Sequence, residues 1–330
     1  MSGSNLKATI FIPTYFGEKY LEKLLTMVFK QEVPYEYEVL IFDTSSTDRT
    51  PQIIESFQRQ HSNLRFKTIT KQEFGHGRTR NQAAHEAKGE IVVYLSQDAI
   101  PAHKRWLYEM IRPFEINEKI VGVVGKQWPR RNCVPLMKSE INGVFGNLGP
   151  EMGTTLFYKD DFANKQNVYE ALCFYSDVNS AARRHYLLEQ FPYRDVQYAE
   201  DQLLGRDIID AGYYKAFAPR GVVWHSNDLT LREYKHRLFD ETIGLREIGA
   251  EVPLPSFKAI VRMFIRGNLR DTRNTLRDKG YSFPEKLYWL MVNPFFHIEK
   301  WRGICKAIKA DLDDPVIREK YSLERKKKNT

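Results

Sequence analysis

Three short apolar runs in the first hundred residues each stop abruptly at a polar group or a proline, and a stretch with helical spacing separates each from the next. Ala8-Thr9-Ile10-Phe11-Ile12 ends at Pro13, Val39-Leu40-Ile41-Phe42 at Asp43, and Ile91-Val92-Val93-Tyr94-Leu95 at Ser96-Gln97-Asp98. Between them, Leu21, Leu24, Leu25 and Val28 recur on one helix face, a second helical segment holds Ile53, Ile54 and Phe57, and a third runs from about Arg80 to Ala87. A further strand is expected around Leu64-Arg65-Phe66. Strands that alternate with helices predict an α/β fold, Rossmann-like, with a mostly parallel sheet covered on both faces. Ligands of such sheets sit beyond the carboxyl ends of the strands, where Asp43 and Asp98 fall.

Downstream, Trp106 to Phe114 reads as a helix and Val121-Gly122-Val123-Val124-Gly125 as a buried strand. Residues 127–175 are expected to form loops and short elements. Glu200-Asp201 opens a helix through Leu203, Ile208 and Ile209, and Val222-Val223-Trp224 leads to His225. Cys133, Cys173 and Cys305 are odd in number and lack paired short spacing, which excludes a disulfide framework and a cysteine zinc site. No apolar stretch approaches the roughly 20 residues that span a bilayer. The expectation is a cytoplasmic protein, peripheral at the inner face of the cell membrane.

Charge divides the chain. The net +8 lies wholly in residues 251–330, which hold 18 Lys plus Arg against 10 Asp plus Glu, so a catalytic domain at 1–250 and a basic helical section at 251–330 are predicted. In that section Phe257, Ile260, Val261 and Phe264 share a helix face, while Lys258, Arg262, Arg266 and Arg270 advance in steps of four. An aromatic-rich segment from Tyr288 to Trp301 follows, interrupted by Pro294. These faces suit an anionic membrane surface, the catalytic domain or a second subunit of a homo-oligomer. A nucleic-acid partner is excluded by the lack of any recognition motif beside the charge; the one low-complexity run is Arg325-Lys326-Lys327-Lys328.

The strand-end groups carry the candidate chemistry. Asp98 can ligate a hard cation such as Mn²⁺ or Mg²⁺ when substrate phosphates complete the shell, and His225 can serve as a further ligand. Glu200-Asp201 offers a general base, though two acids also suit the start of a helix for electrostatic reasons alone. Asp43 can accept from the imide of a pyrimidine base or cap a helix. The segment Phe74-Gly75-His76-Gly77-Arg78-Thr79-Arg80-Asn81 can close on phosphate, but its glycine spacing fits neither a Walker loop nor a dinucleotide fingerprint.

Taken in order, Ile10-Phe11-Ile12-Pro13-Thr14-Tyr15, Val39 to Asp48, Gly77-Arg78-Thr79-Arg80-Asn81, Leu95-Ser96-Gln97-Asp98-Ala99, Ser176 to Arg184, Ala199-Glu200-Asp201 and Trp224-His225-Ser226 resemble the motifs of family 2 inverting glycosyltransferases with the GT-A fold. The resemblance covers residues 8–240. It implies that Pro13, Thr14, Tyr15, Asp43, Arg80, Gln97 and Asp98 bind a nucleotide sugar, that Asp98 and His225 hold the metal, and that Asp201, or Glu200 in its place, is the base. Asp177 and Asn179 would face sugar or acceptor. Ser-Gln-Asp in place of Asp-x-Asp is most similar to bacterial rhamnosyltransferases that use dTDP-L-rhamnose for cell-wall or capsular polysaccharide, with a lipid-linked saccharide as acceptor. A UDP-sugar-dependent transferase and a non-catalytic nucleotide-sugar or glycan-binding subunit are the alternatives.

Overall fold

The structure is a computed structural model and describes residues 6–160, 166–312 and 314–323, so the basic run at 325–328 lies outside the described residues. β1 (Leu6–Thr14), α1 (Leu21–Val28), β2 (Glu36–Asp43), α2 (Thr50–Gln58), β3 (Leu64–Thr68), α3 (His76–Glu86) and β4 (Ile91–Leu95) alternate as the apolar runs predict. Strands β3, β2, β1 and β4 lie side by side, all parallel. Thr14 pairs with Asp43 and Asp43 with Thr68, so three strands end level and deliver their last residues to one edge. Central strands read as unbroken apolar runs because both faces are covered. Ile10, Ile12, Val93 and Leu95 are fully buried with Leu21, Leu24 and Leu25 of α1, each side chain contributing about 1.5–3 kcal/mol.

The second half of the sheet departs from a parallel design. β5 (Ile100–Pro101), α4 (Trp106–Ile111), β6 (Ile120–Trp128), α5 (Pro135–Gly146), β7 (Thr155–Phe157), α6 (Gln166–Cys173), β8 (Asn179–Arg183), α7 (Arg184–Glu189), α8 (Glu200–Asp210) and β9 (Tyr214–Trp224) follow in chain order. The strand order is β3-β2-β1-β4-β8-β6-β9-β5, with β7 also on β9. β8 runs antiparallel to both β4 and β6, while β6 and β9 are parallel. Its residues, Asn179-Ser180-Ala181-Ala182, are too small and polar to advertise a strand, although Asn179 through Ala182 are buried. Residues 127–175, expected to be loops and short elements, hold the twelve-residue helix α5 as well as β7 and α6.

The chain forms two compact units, residues 1–128 with 144–225 and residues 129–143 with 226–330. The division falls at His225/Ser226 rather than near residue 250. α9 (Leu231–Glu247) belongs to the second unit because Tyr234 is buried in one cluster with Phe296, and Phe239 in another with Ala307. Its mixed charges hid that membership. α10 (Phe257–Arg277), α11 (Phe283–Ile308) and α12 (Pro315–Tyr321) complete the unit. α9 and α11 both open on capping boxes, Thr230 with Glu233 and Ser282 with Glu285, which satisfy otherwise orphaned backbone N–H groups. α11 runs through Pro294, where an interruption was expected; the flanking Asn293, Phe296 and His297 are buried and hold the turn despite the lost N–H. Among the described residues no helix is long and apolar enough to cross a membrane.

Candidate active site

At the carboxyl edge of the first unit a cleft of about 240 Å³ opens between the ends of β1 and β4 and the first turn of α3. Pro13, Thr14, Tyr15, Thr44, Phe74, His76, Thr79, Arg80, Ser96, Gln97 and Asp98 are among its lining. Gln97 fixes one rim: its Oε1 accepts from the Tyr15 N–H at 2.9 Å and its Nε2 donates to the Tyr15 carbonyl at 2.9 Å. The Tyr15 hydroxyl, buried, has no hydrogen-bond partner among the described residues. A buried hydroxyl in that state costs stability unless something else meets it, which suits a ligand. The first turn of α3 lies at this cleft, and a helix N-terminus favours an anion.

Asp98 and His225 come together although 127 positions separate them in sequence. His225 follows β9, Asp98 follows β4, and His225 Nε2 lies 3.6 Å from Asp98 Oδ2. The other ring nitrogen, Nδ1, is 2.9 Å from Gln127 Oε1, while Gln127 Nε2 donates to Ser176 Oγ at 3.2 Å. An amide oxygen only accepts, so Nδ1 carries the hydrogen, and in the neutral ring Nε2 holds the lone pair. That lone pair faces a carboxylate oxygen. Two electron-pair donors 3.6 Å apart fit a divalent cation, with Gln127 as the group that orients the imidazole. Among the described residues no cluster of three or more His, Cys, Asp or Glu could hold an ion. A two-ligand set of this kind is complete only when substrate phosphates supply the remaining oxygens.

The third cluster is built on Arg80. Its Nε lies 2.8 Å from Asp177 Oδ2 and its Nη1 2.7 Å from Glu200 Oε1. Asp177 also accepts from Ser180 Oγ at 2.6 Å and from the Tyr193 hydroxyl at 3.0 Å. Asp201 joins through Oδ2, which accepts from the Asp177 N–H at 3.3 Å. Burial, followed by the charges of Glu200 and Asp177, pushes the Asp201 carboxyl well above the usual aspartate range. Burial would loosen the proton of Arg80, but Glu200 and Asp177 outweigh it and the guanidinium stays firmly charged. Asp177 and Glu200 are buried, whereas Asp201 is partly exposed. Asp201 is therefore the least enclosed residue of the three, and its Oδ1 accepts from the Gln202 N–H at 2.8 Å.

Several site residues differ from expectation. Asn179 does not face a cleft: it is fully buried, its Oδ1 accepts from Trp106 Nε1 at 3.0 Å, and its Nδ2 donates to the carbonyls of Lys126 and Gly221 at 3.1 and 2.8 Å. Asp177 likewise is committed to Arg80, Ser180 and Tyr193 rather than open to sugar. Asp43 is 1% exposed and takes up the Thr14 hydroxyl, the Ser46 hydroxyl and the Ser46 N–H at 2.7–2.8 Å, so it shapes the loop after β2 while Thr14 and Thr44 line the cleft. Gln127 and Tyr193 were missed. Gln127 is marked in sequence only by its place at the end of β6; Tyr193 has no local signal at all.

Comparison with known proteins places this geometry. Residues 9–191 match the model of glycosyl transferase family 2. Over 235 residues the chain is 31% identical to the O-antigen chain rhamnosyltransferase WbaN of Salmonella anatum, covering 70% of each protein. The chain is a family 2 glycosyltransferase. This glycosyltransferase is also 28% identical to the O-antigen chain rhamnosyltransferase RfbN of Salmonella typhimurium, covering 71% of each. Its GT-A fold is shared with the mannosyltransferase PcManGT from Pyrobaculum calidifontis, solved with GDP-Man and Mn²⁺, at TM-score 0.56 and 17% identity over 92% of this chain and 87% of that one. Staphylococcus aureus TarS 1–349 with UDP superposes at TM-score 0.52 and 18% identity, over 92% and 90%.

Proposed function

We propose that this glycosyltransferase moves L-rhamnose, with inversion, from dTDP-L-rhamnose to a hydroxyl of a lipid-linked saccharide in bacterial surface polysaccharide synthesis. The observation that carries the reading is the Asp98–His225 pair, brought to 3.6 Å with Gln127 against the other ring nitrogen. The relatives named as O-antigen chain rhamnosyltransferases support the sugar. Arg80 is the only Lys or Arg among the cleft residues given above, and two carboxylates already engage it. A donor diphosphate would find countercharge in a cation held by Asp98 and His225, in the N-terminal turn of α3 and in Lys71, whose ammonium lies 5.4 Å from the Tyr15 ring.

When bound, Mn²⁺ or Mg²⁺ would stabilise negative charge on the departing diphosphate. The rest falls to the chain's own groups. Thr14 and Tyr15 line the pocket for base and ribose, with Gln97 holding the Tyr15 backbone in place. Asp201 takes the proton of the acceptor hydroxyl as that oxygen bonds to the anomeric carbon and the bond to the diphosphate oxygen breaks. A carboxylate whose proton affinity is raised by burial and by two neighbouring acids is a stronger base than a free aspartate. Glu200 is less suited, since it is buried and paired with Arg80.

The test is turnover of a panel of nucleotide sugars with Mn²⁺ present. The expected result is preferential consumption of dTDP-L-rhamnose. Preference for a UDP-sugar would replace the rhamnose reading, and donor binding with no turnover on any saccharide acceptor would favour a non-catalytic subunit.

A further inference from the structure

On α10 an apolar line and a basic line run side by side on the exposed surface. Phe257, Val261, Ile265, Leu269 and Leu276 are all exposed, Ile265 by 51%, Leu269 by 66% and Leu276 by 56%. Each is followed directly by a cation: Lys258, Arg262, Arg266, Arg270 and Arg277. One residue is about 100° of helix, so the two lines stay parallel along its length. Arg273 adds a sixth cation. The helix has a single acid, Asp271, and it is fully buried, bonded to His297 Nε2 at 2.7 Å, Ser139 Oγ at 2.6 Å and Arg270 Nε at 2.9 Å. The exposed face of α10 thus carries positive charge and hydrocarbon and no negative charge. α11 adds its own exposed apolar line, Leu287, Met291, Phe295 and Ile298.

We propose that this face of α10 docks the enzyme on an anionic lipid bilayer, with the apolar line sunk among acyl chains and the arginines on headgroup phosphates. A helix with these two lines lies in the plane of a membrane interface, held by buried apolar area together with attraction to anionic lipid. A second copy of the chain is disfavoured on this face, since it would set six cations against six. Nucleic acid would engage the arginines but leave Ile265, Leu269 and Leu276 in water. The surface deepens the reading of a lipid-linked acceptor and rests on it for its purpose alone.

The test is co-sedimentation of the full chain with phosphatidylcholine vesicles, with and without phosphatidylglycerol, in the absence of donor and acceptor. Wild type should pellet only with the anionic vesicles. Arg262→Glu/Arg266→Glu/Arg273→Glu, and separately Ile265→Ser/Leu269→Ser, should each weaken binding by at least about tenfold with the circular dichroism spectrum unchanged. Lys23→Glu/Lys30→Glu/Lys88→Glu, exposed positions of the first unit, makes the same change in net charge and should bind as wild type. Failure of wild type to pellet, equal loss in the Lys23/Lys30/Lys88 variant, or undiminished binding of either α10 variant would each overturn the proposal. So would a dimer, seen by sedimentation without vesicles, that the α10 variants abolish. None of these outcomes touches the transferase chemistry, which is read by donor turnover.

Discussion

Asp177 and Glu200 pair with Arg80, Asp201 joins them through the Asp177 N–H, and that crowding of acids sets how the site titrates. Burial first, then the charges of Glu200 and Asp177, outweigh the opposing pull of Arg80 and raise the proton affinity of Asp201. A base with a raised pKa becomes active as pH climbs through that value, and kcat/KM should follow it upward. Glu200→Gln keeps an oxygen for Arg80 but removes the negative charge that raises Asp201 most after burial. The rising limb of the kcat/KM profile should therefore move to lower pH, by about one unit, with turnover retained. A limb that stays in place would remove Glu200 as the tuning charge; lost turnover would make Glu200 itself the base.

Asn179 shows what an element needs that a residue-by-residue reading does not supply. It is the first residue of β8, the reversed strand between β4 and β6, and its amide holds Trp106 of α4, the end of β6 and Gly221 of β9 at once. Gly125 makes room for it, since a Cβ there would lie 2.2 Å from Asn179 Nδ2. Asn179→Ala removes three hydrogen bonds to buried groups and should lower the unfolding free energy by about 3 kcal/mol in chemical denaturation. A loss below about 1 kcal/mol would show that water replaces the amide. The parallel strands β1, β2 and β4 were legible because double-sided burial demands apolar runs, and α1 because its buried face recurs at helical spacing. β8 was not, because its burial is satisfied by small residues and an amide whose partners are distant in sequence. For the same reason Asp98 and His225 could be found as strand-end groups, while the hydrogen bond by which Gln127 orients His225 could not.

At the scale of the whole molecule, composition located the basic excess but misplaced the seam, because α9 is near-neutral yet packs with α11. The first unit alone contains the cleft, the Asp98–His225 pair and the Arg80 cluster, so the chemistry can be tested without reference to the basic helices. The central claim is that Asp201 removes the acceptor's proton while other residues hold the donor. Its most direct measurement is turnover and donor affinity of Asp201→Asn, side by side, with dTDP-L-rhamnose and Mn²⁺. The account predicts turnover reduced by about a hundred- to ten-thousandfold with donor affinity within a few-fold of wild type; turnover near the wild-type rate, or a matching loss of donor binding, would contradict it.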